Sequence, residues 1–290
     1  LFSEVTADNF FQSDDEFISA LGAAYTTLYG MYGTPGVIGI QEISSRHLVV
    51  PTRGQDWDDG GHWRRLHQQE WNSEDPAAGG AWGVLFGGVS TCNRLIFQFE
   101  QLNNPSTTPF LSELRALRAI YYYWLLDIYG NVPIITSFDI DPSTITQSQR
   151  SAVYSFVETE LTESLPDVTS AKDGTTYGRV NQDVINTTLT KLYLNAEVYT
   201  GTAQWAKAAA AAQAVIGTGN YSLQGNYRDN FVTANEGSTE FIFAIPYDKV
   251  FAGGFVTPAQ TLHYASQATY NLTFQPWNGW STLEDFYNSY

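Results

Sequence analysis

Apolar residues recur at helical spacing in several stretches of the chain. Where that recurrence fails, the sequence turns rich in glycine, proline and aspartate. Residues 14–32 place Phe17, Leu21, Ala24, Tyr25, Leu28 and Tyr32 on one face, with Ser13 or Asp14 as the N-cap. Helical spacing returns at 81–102, and again at 109–129, where Leu114, Leu117, Tyr121, Leu125 and Ile128 form one stripe. That helix is predicted to stop at Gly130, which tolerates positive φ, and Pro133 prevents its resumption. A further helix is expected over 148–165, ended by Pro166, and a helix pair over 182–200 and 203–217. The pair has tetratricopeptide character, with Trp205 after a short turn and Ala208 and Ala212 as small contact positions. Residues 240–247, "EFIFAIPY", alternate and predict a strand.

Two segments carry no period. Residues 33–80 read as a long irregular connection, a rare feature that tends to be functional, and the tail from 250 onward is again loop-rich. The stretch "RGQDWDDGGHWRRLHQQEW" at 53–71 sets Trp57, Trp63 and Trp71 where no helical or strand period collects them on one face. The late segment adds Tyr264, Tyr270, Phe274, Trp277 and Trp280. The predicted class is therefore mainly α, a tetratricopeptide-like helical-pair scaffold with long irregular loops and a few short strands.

Composition narrows the function. The apolar runs are well short of the ~18–20 residues that span a bilayer. A formal charge of -16 sets the chain against nucleic acid and anionic membrane surfaces. Aromatic residues make up 15% of the chain, and Trp and Tyr are the side chains that stack on flat apolar ligand faces. The single cysteine, Cys92, rules out an internal disulfide framework, and its apolar helical setting predicts an inert buried thiol.

Catalytic motifs are lacking: no phosphate loop, dinucleotide fingerprint, nucleophile elbow or HExxH occurs. "DWDDGG" at 56–61 has a faint likeness to a calcium loop, but His67 stands where the bidentate glutamate belongs. His62 and His67 lie five apart, off a shared helical face, so neither a metal site nor a cofactor is predicted. Asp56, Asp58, Asp59, Glu74 and Asp75 could supply a glycosidase pair, yet nothing separates them from ordinary loop acids.

Four stretches bear a family resemblance. "LRALRAIYYYWLLDIYGNVPII" (114–135) pairs an Arg-Ala-aromatic helix with a Tyr-Gly-x-x-Pro end, and "AWGVLFGGVSTCNRLI" (81–96) is a Trp-led helix ending in Cys-Asn-Arg. "GRVNQDVINTTLTKLYLNAEVYTG" (178–201) enters the helix pair, and "NGWSTLEDFYNSY" (278–290) leads toward a turn. Together they resemble the SusD/RagB family of surface glycan-binding lipoproteins from Bacteroidetes nutrient-uptake systems. The resemblance implies one SusD-like domain over 1–290, the N-terminal portion of a family fold whose C-terminal part is missing. It implies no enzymatic activity, capture of an oligosaccharide or polysaccharide, and delivery to a SusC-like TonB-dependent transporter. It also implies attachment to the outer membrane at the cell surface, through a lipidated residue upstream of Leu1.

The residues agree with that expectation on their own terms. A pyranose ring stacks its C–H face on Trp or Tyr, while its hydroxyls need Asp, Asn, Gln or Arg nearby. Trp57, Trp63, Trp71, Asp56, Asp58 and Arg64 supply both kinds of group in the early loop, and Tyr270, Trp277, Asn278 and Trp280 in the late one. The two loops are expected to converge into one glycan platform. Trp57, Trp63 and Trp71 read equally well as staples that pin the loop. Two other classes stay open: a helical-repeat module that binds a protein, and a glycoside hydrolase.

Overall fold

The computed structural model describes residues 11, 13–34, 36–45 and 47–289. The helices are α1 (Asp14–Thr26), α2 (Gly36–Ser44), α3 (His62–Gln68), α4 (Pro76–Gln101), α5 (Thr108–Tyr129) and α6 (Arg150–Ser164). They continue with α7 (Gln182–Leu194), α8 (Ala196–Thr200), α9 (Trp205–Thr218), α10 (Thr257–Thr261), α11 (Ser266–Tyr270) and α12 (Glu284–Tyr287). Two short strands, β1 (Leu48–Val49) and β2 (Ser281–Thr282), pair antiparallel with Leu48 opposite Thr282. The fold is mainly α, with a tetratricopeptide-like helix pair, as the periodicity predicts. Two compact units divide the chain: one joins the residues up to Thr26 to Gly87–Pro246, the other joins Thr27–Phe86 to the residues from Tyr247 on.

In the first unit α5 is the centre. Leu114, Leu117, Tyr121, Tyr122 and Leu125 are buried along it, and the Tyr121 hydroxyl donates to the Ala24 carbonyl at 2.8 Å. Gly88 is required opposite: a Cβ there would strike the Tyr121 ring. Of the arginines of "LRALRAI", Arg118 faces inward and Arg115 stays partly exposed. Arg118 is buried, donating to Asn93 Oδ1 (2.7 Å), to the Thr136 carbonyl and to Glu160, while Arg115 holds the other Glu160 oxygen at 2.7 Å. Glu113 likewise accepts from the Tyr25 hydroxyl (2.6 Å) and from Arg179 Nη2 (2.6 Å). Two of the four family-like stretches, 114–135 and 178–201, therefore contribute to ionic contacts at α5. Asn181 caps α7 by accepting from the Val184 N–H at 3.0 Å, and α7 packs along α9. Cys92 is fully buried, and burial pushes its thiol up to about 12, as its sequence setting predicts.

The second unit is built on an apolar cluster of Ile43, Val50, Trp63, Leu66, Ala77 and Trp280, with Ile40, Leu48 and Trp57 packed against it. Each buried aromatic removes roughly 150–250 Å² from water, worth at most about 4–6 kcal/mol. Arg65 and buried Asp75 clasp α3 to the start of α4; Asp75 also accepts from the Asn72 N–H at 2.9 Å.

Several expectations are corrected. The 33–80 segment contains α2 and α3, and α4 begins at Pro76 rather than at 81. Glycine hid these helices: Gly39 sits inside α2 because the Trp280 ring packs on it, leaving a built Cβ only 3.1 Å from the indole. Pro76 suits the first turn of a helix, where its missing N–H costs nothing. The 14–32 helix tightens to a 3-10 turn from Thr27, beside two β-branched threonines. The expected 182–200 helix breaks at Asn195, whose φ of −97° and ψ of 8° separate α7 from α8. Residues 240–247 form no strand; among the described residues nothing pairs with them as a ladder, and Pro246 lacks a donor.

Two outcomes follow from this packing. Glu160→Ala leaves Arg118 buried and uncompensated and should cost about 3–5 kcal/mol in urea unfolding. The double change Arg118→Met with Glu160→Leu should cost less than that single one. The second outcome concerns pH. The Arg65 hydrogen bond holds the Asp75 carboxyl below its ordinary range. That contribution to stability is fully present above the unfolded value of about 4, and is lost as pH falls through the lowered folded value. Asp75→Asn should flatten the acid limb of stability measured between about pH 2 and 5.

Candidate functional site

The two irregular aromatic segments meet within the second unit. Arg53 opens a tight turn, its backbone N–H and that of Asp56 bonding each other's carbonyls at 2.9 and 3.1 Å around Gly54, whose φ is 68°. The turn aims three side chains at the late segment. Arg53 Nη2 donates to Ser281 Oγ at 2.9 Å and Nε to the Asn278 carbonyl at 2.5 Å. Asp56 Oδ2 accepts from the Tyr264 hydroxyl at 2.6 Å, and that bond raises the Tyr264 phenol above its ordinary value. Trp57, itself at a positive φ of 61°, donates its indole N–H to the Trp277 carbonyl at 2.7 Å.

Gly279 explains how Trp57 fits. A Cβ at that position would collide with the Trp57 ring, so the indole lies directly on bare backbone. The late segment is held from its other side by main-chain bonds to α10. Trp277 N–H reaches the Ala259 carbonyl at 2.6 Å, Asn278 the Leu262 carbonyl at 3.0 Å, and Gly279 the Gln260 carbonyl at 2.8 Å. Asn278 takes a φ of 51° to make that turn. The result is a short rigid bracket of backbone carrying Trp277 outward.

The ten sequence-predicted residues divide clearly. Trp63 and Trp280 are 3% and 4% exposed, packed in the apolar cluster; Trp63 donates to Asp59 Oδ2 at 2.7 Å. They act as staples, because their faces are covered by protein. Asn278 is buried and serves through its backbone. Trp277 (40% exposed), Tyr270 (65%) and Trp71 (51%) face solvent, while Trp57 is partly covered. Asp56, Asp58 and Arg64 are exposed. Of these, Asp56 and Trp57 are joined to the late segment; Asp58, Arg64, Trp71 and Tyr270 lie outside the hydrogen bonds that make the junction.

Sequence reasoning missed Arg53 and Gly279. Neither has periodic neighbours, and each matters only through a partner far along the chain, at separations of 225 and 228 residues for Arg53. Of the loop acids, Asp75 is bound by Arg65, Asp59 by Trp63 and Asp56 by Tyr264. Burial lowers the pKa of His62 and favours its neutral form. Among the described residues, no three His, Cys, Asp or Glu side chains converge where they could hold a metal ion.

No family model matches the chain. Over 148 residues it is 30% identical to starch-binding protein SusD of Bacteroides thetaiotaomicron; that stretch is 51% of this chain and 26% of SusD. Among solved structures, surface glycan-binding protein A from Bacteroides uniformis superposes with a TM-score of 0.79 at 22% identity, over 96% of this chain and 61% of that one. The Bacteroides thetaiotaomicron surface glycan-binding protein A in complex with laminarihexaose gives the same TM-score and identity. A laminarin-binding SusD-like protein gives 0.68 at 24% identity, over 80% of this chain and 51% of that one. The chain thus spans about half to three-fifths of the length of these solved relatives. In sequence and in fold, the chain carries the resemblance to the SusD/RagB family that its motifs predict.

Proposed function

We propose that this chain is a non-catalytic glycan-binding protein whose platform is the bracket carrying Trp277, with Trp57 and Asp56 beside it. The observation that supports this reading most is the junction itself. Hydrogen bonds from Arg53, Trp57 and Tyr264 fix two aromatic segments against each other and leave Trp277 exposed at a set angle. A preformed aromatic face suits stacking on a sugar ring, because little side-chain freedom remains to be lost on binding. Asp56 is exposed next to it, one oxygen held by Tyr264, ready to accept from sugar hydroxyls. The exposed carboxylate of Asp56, with those of Asp58 and Asp59 close to it in sequence, favours a neutral oligosaccharide over an acidic one. SusD and the laminarihexaose-bound relative support a glycan as the ligand class.

From the family resemblance of its sequence motifs alone, we further propose that the protein sits at the outer-membrane surface on a lipid anchor and passes its oligosaccharide to a SusC-like TonB-dependent transporter. A protein partner on the helical unit is the second reading. It is favoured by exposed apolar side chains on α8 and α9, Val198, Trp205 and Ile216, which a monomer leaves in water.

Affinity electrophoresis in laminarin, starch and other neutral polysaccharides tests the platform. Trp277→Ala should weaken binding about tenfold or more, close to 1.4 kcal/mol, and leave the unfolding midpoint near its original value. Trp63→Ala should do the reverse, costing about 3–5 kcal/mol of stability as a core deletion. Unchanged affinity in Trp277→Ala, with the parent protein binding a polysaccharide, would move the site elsewhere.

A further inference from the structure

We propose that the first unit carries a second binding site, separate from the aromatic platform, for a neutral polyhydroxylated ligand of about monosaccharide size. The site is a cleft of about 250 Å³ where the end of α5, the start of α6 and the α7–α8 break come together. That is about eight waters' share of liquid volume, enough for one small polar molecule. None of the platform's residues lines this cleft.

The chemistry of the walls selects the ligand. Arg150, the first residue of α6, lines the cleft. Its backbone N–H bonds Asn131 Oδ1 at 2.7 Å, but its guanidinium forms no hydrogen bond or ion pair with any described residue. Gly130 keeps that side chain in place. With φ 72° and ψ −81° it turns the chain off α5, and a Cβ there would lie 3.3 Å from Arg150 Cδ. Tyr199, also in the lining, donates to Asp127 Oδ1 at 2.7 Å. Burial, then that carboxylate, raises the Tyr199 phenol, so it stays a protonated donor and orients Asp127. Asn195 ends α7, its side-chain amide meeting the Lys191 carbonyl only at the 3.5 Å limit. Val198 adds an apolar wall.

The two charged lining residues, Arg150 and Asp127, cancel, so neither an anion nor a cation gains a net attraction in this cleft, and a neutral polyol needs none. Each of its hydroxyls both donates and accepts, which matches a rim that alternates a guanidinium donor, a carboxylate acceptor and an amide that is both. A divalent cation is disfavoured because no three His, Cys, Asp or Glu side chains converge here or elsewhere among the described residues.

The test is an NMR titration of the full chain with D-glucose as the probe, glucuronate and glucosamine as charged counterparts, and Val198→Trp and Arg150→Ala as variants. Both substituted side chains are exposed, and the amide spectrum checks that each variant is folded. Glucose should shift the Gly130 amide and the Asn195 side-chain amide with a millimolar Kd. Val198→Trp should abolish those shifts, and Arg150→Ala should weaken them at least fivefold. Trp277→Ala should leave them intact, which separates this site from the platform. Three results would overturn the proposal: no shift at roughly 100 mM glucose, far above a millimolar Kd; glucuronate or glucosamine binding as tightly as glucose; or glucose shifts that survive both variants.

Discussion

One hydrogen bond, from the Trp57 indole to the Trp277 carbonyl, joins positions 220 residues apart and sets the geometry of the second unit's aromatic surface. It can form only because Gly279 has no side chain, so the indole reaches past it onto bare backbone. Arg53 and Tyr264 then fix the same two segments from either side. The cost is visible in the backbone: Trp57 and Asn278 both hold positive φ, a conformation that side-chain-bearing residues adopt rarely. Such strain persists where surrounding contacts over-determine it. Here those contacts are the staples below, Trp63 and Trp280, which fill the core while Trp277 is presented above.

The first unit solves a different problem. Its central helix brings Arg118 inward, and burying a guanidinium is costly unless it is paired; both Nη groups of Arg118 find acceptors, while its buried Nε is left without one among the described residues. Glu160 takes both Arg115 and Arg118, Asn93 takes a further donor, and Glu113 receives Arg179 from the loop before α7. These bonds tie α5 to α4, to α6 and to the entry of the helix pair.

The sequence made the long helices legible because packing against one neighbour imposes a period, and α5, α6 and α9 lie within two residues of their expected bounds. It hid α2 and α3, since the glycines that let Trp280 approach Gly39, and that turn the chain before His62, read locally as loop signals. It also misjudged 240–247, whose alternation is real but whose ladder needs a partner strand no local pattern can supply. At the aromatic surface, the residue types were readable and their roles were not. Indole is equally suited to core and to ligand, and only the fold buries Trp63 and Trp280 while exposing Trp71 and Trp277. Arg53 had no signal at all, because its meaning lies in carbonyls more than two hundred positions away.

Cys92 has a practical consequence. It is the chain's single cysteine, fully buried, with a thiol that stays protonated at any ordinary pH. Thiol-directed reagents therefore see an essentially blank protein. A cysteine introduced at an exposed position such as Trp71 would be the one reactive sulfur on the molecule. A single fluorophore or spin label could then be placed on the second unit without first removing a native thiol, and without disturbing that unit's apolar core.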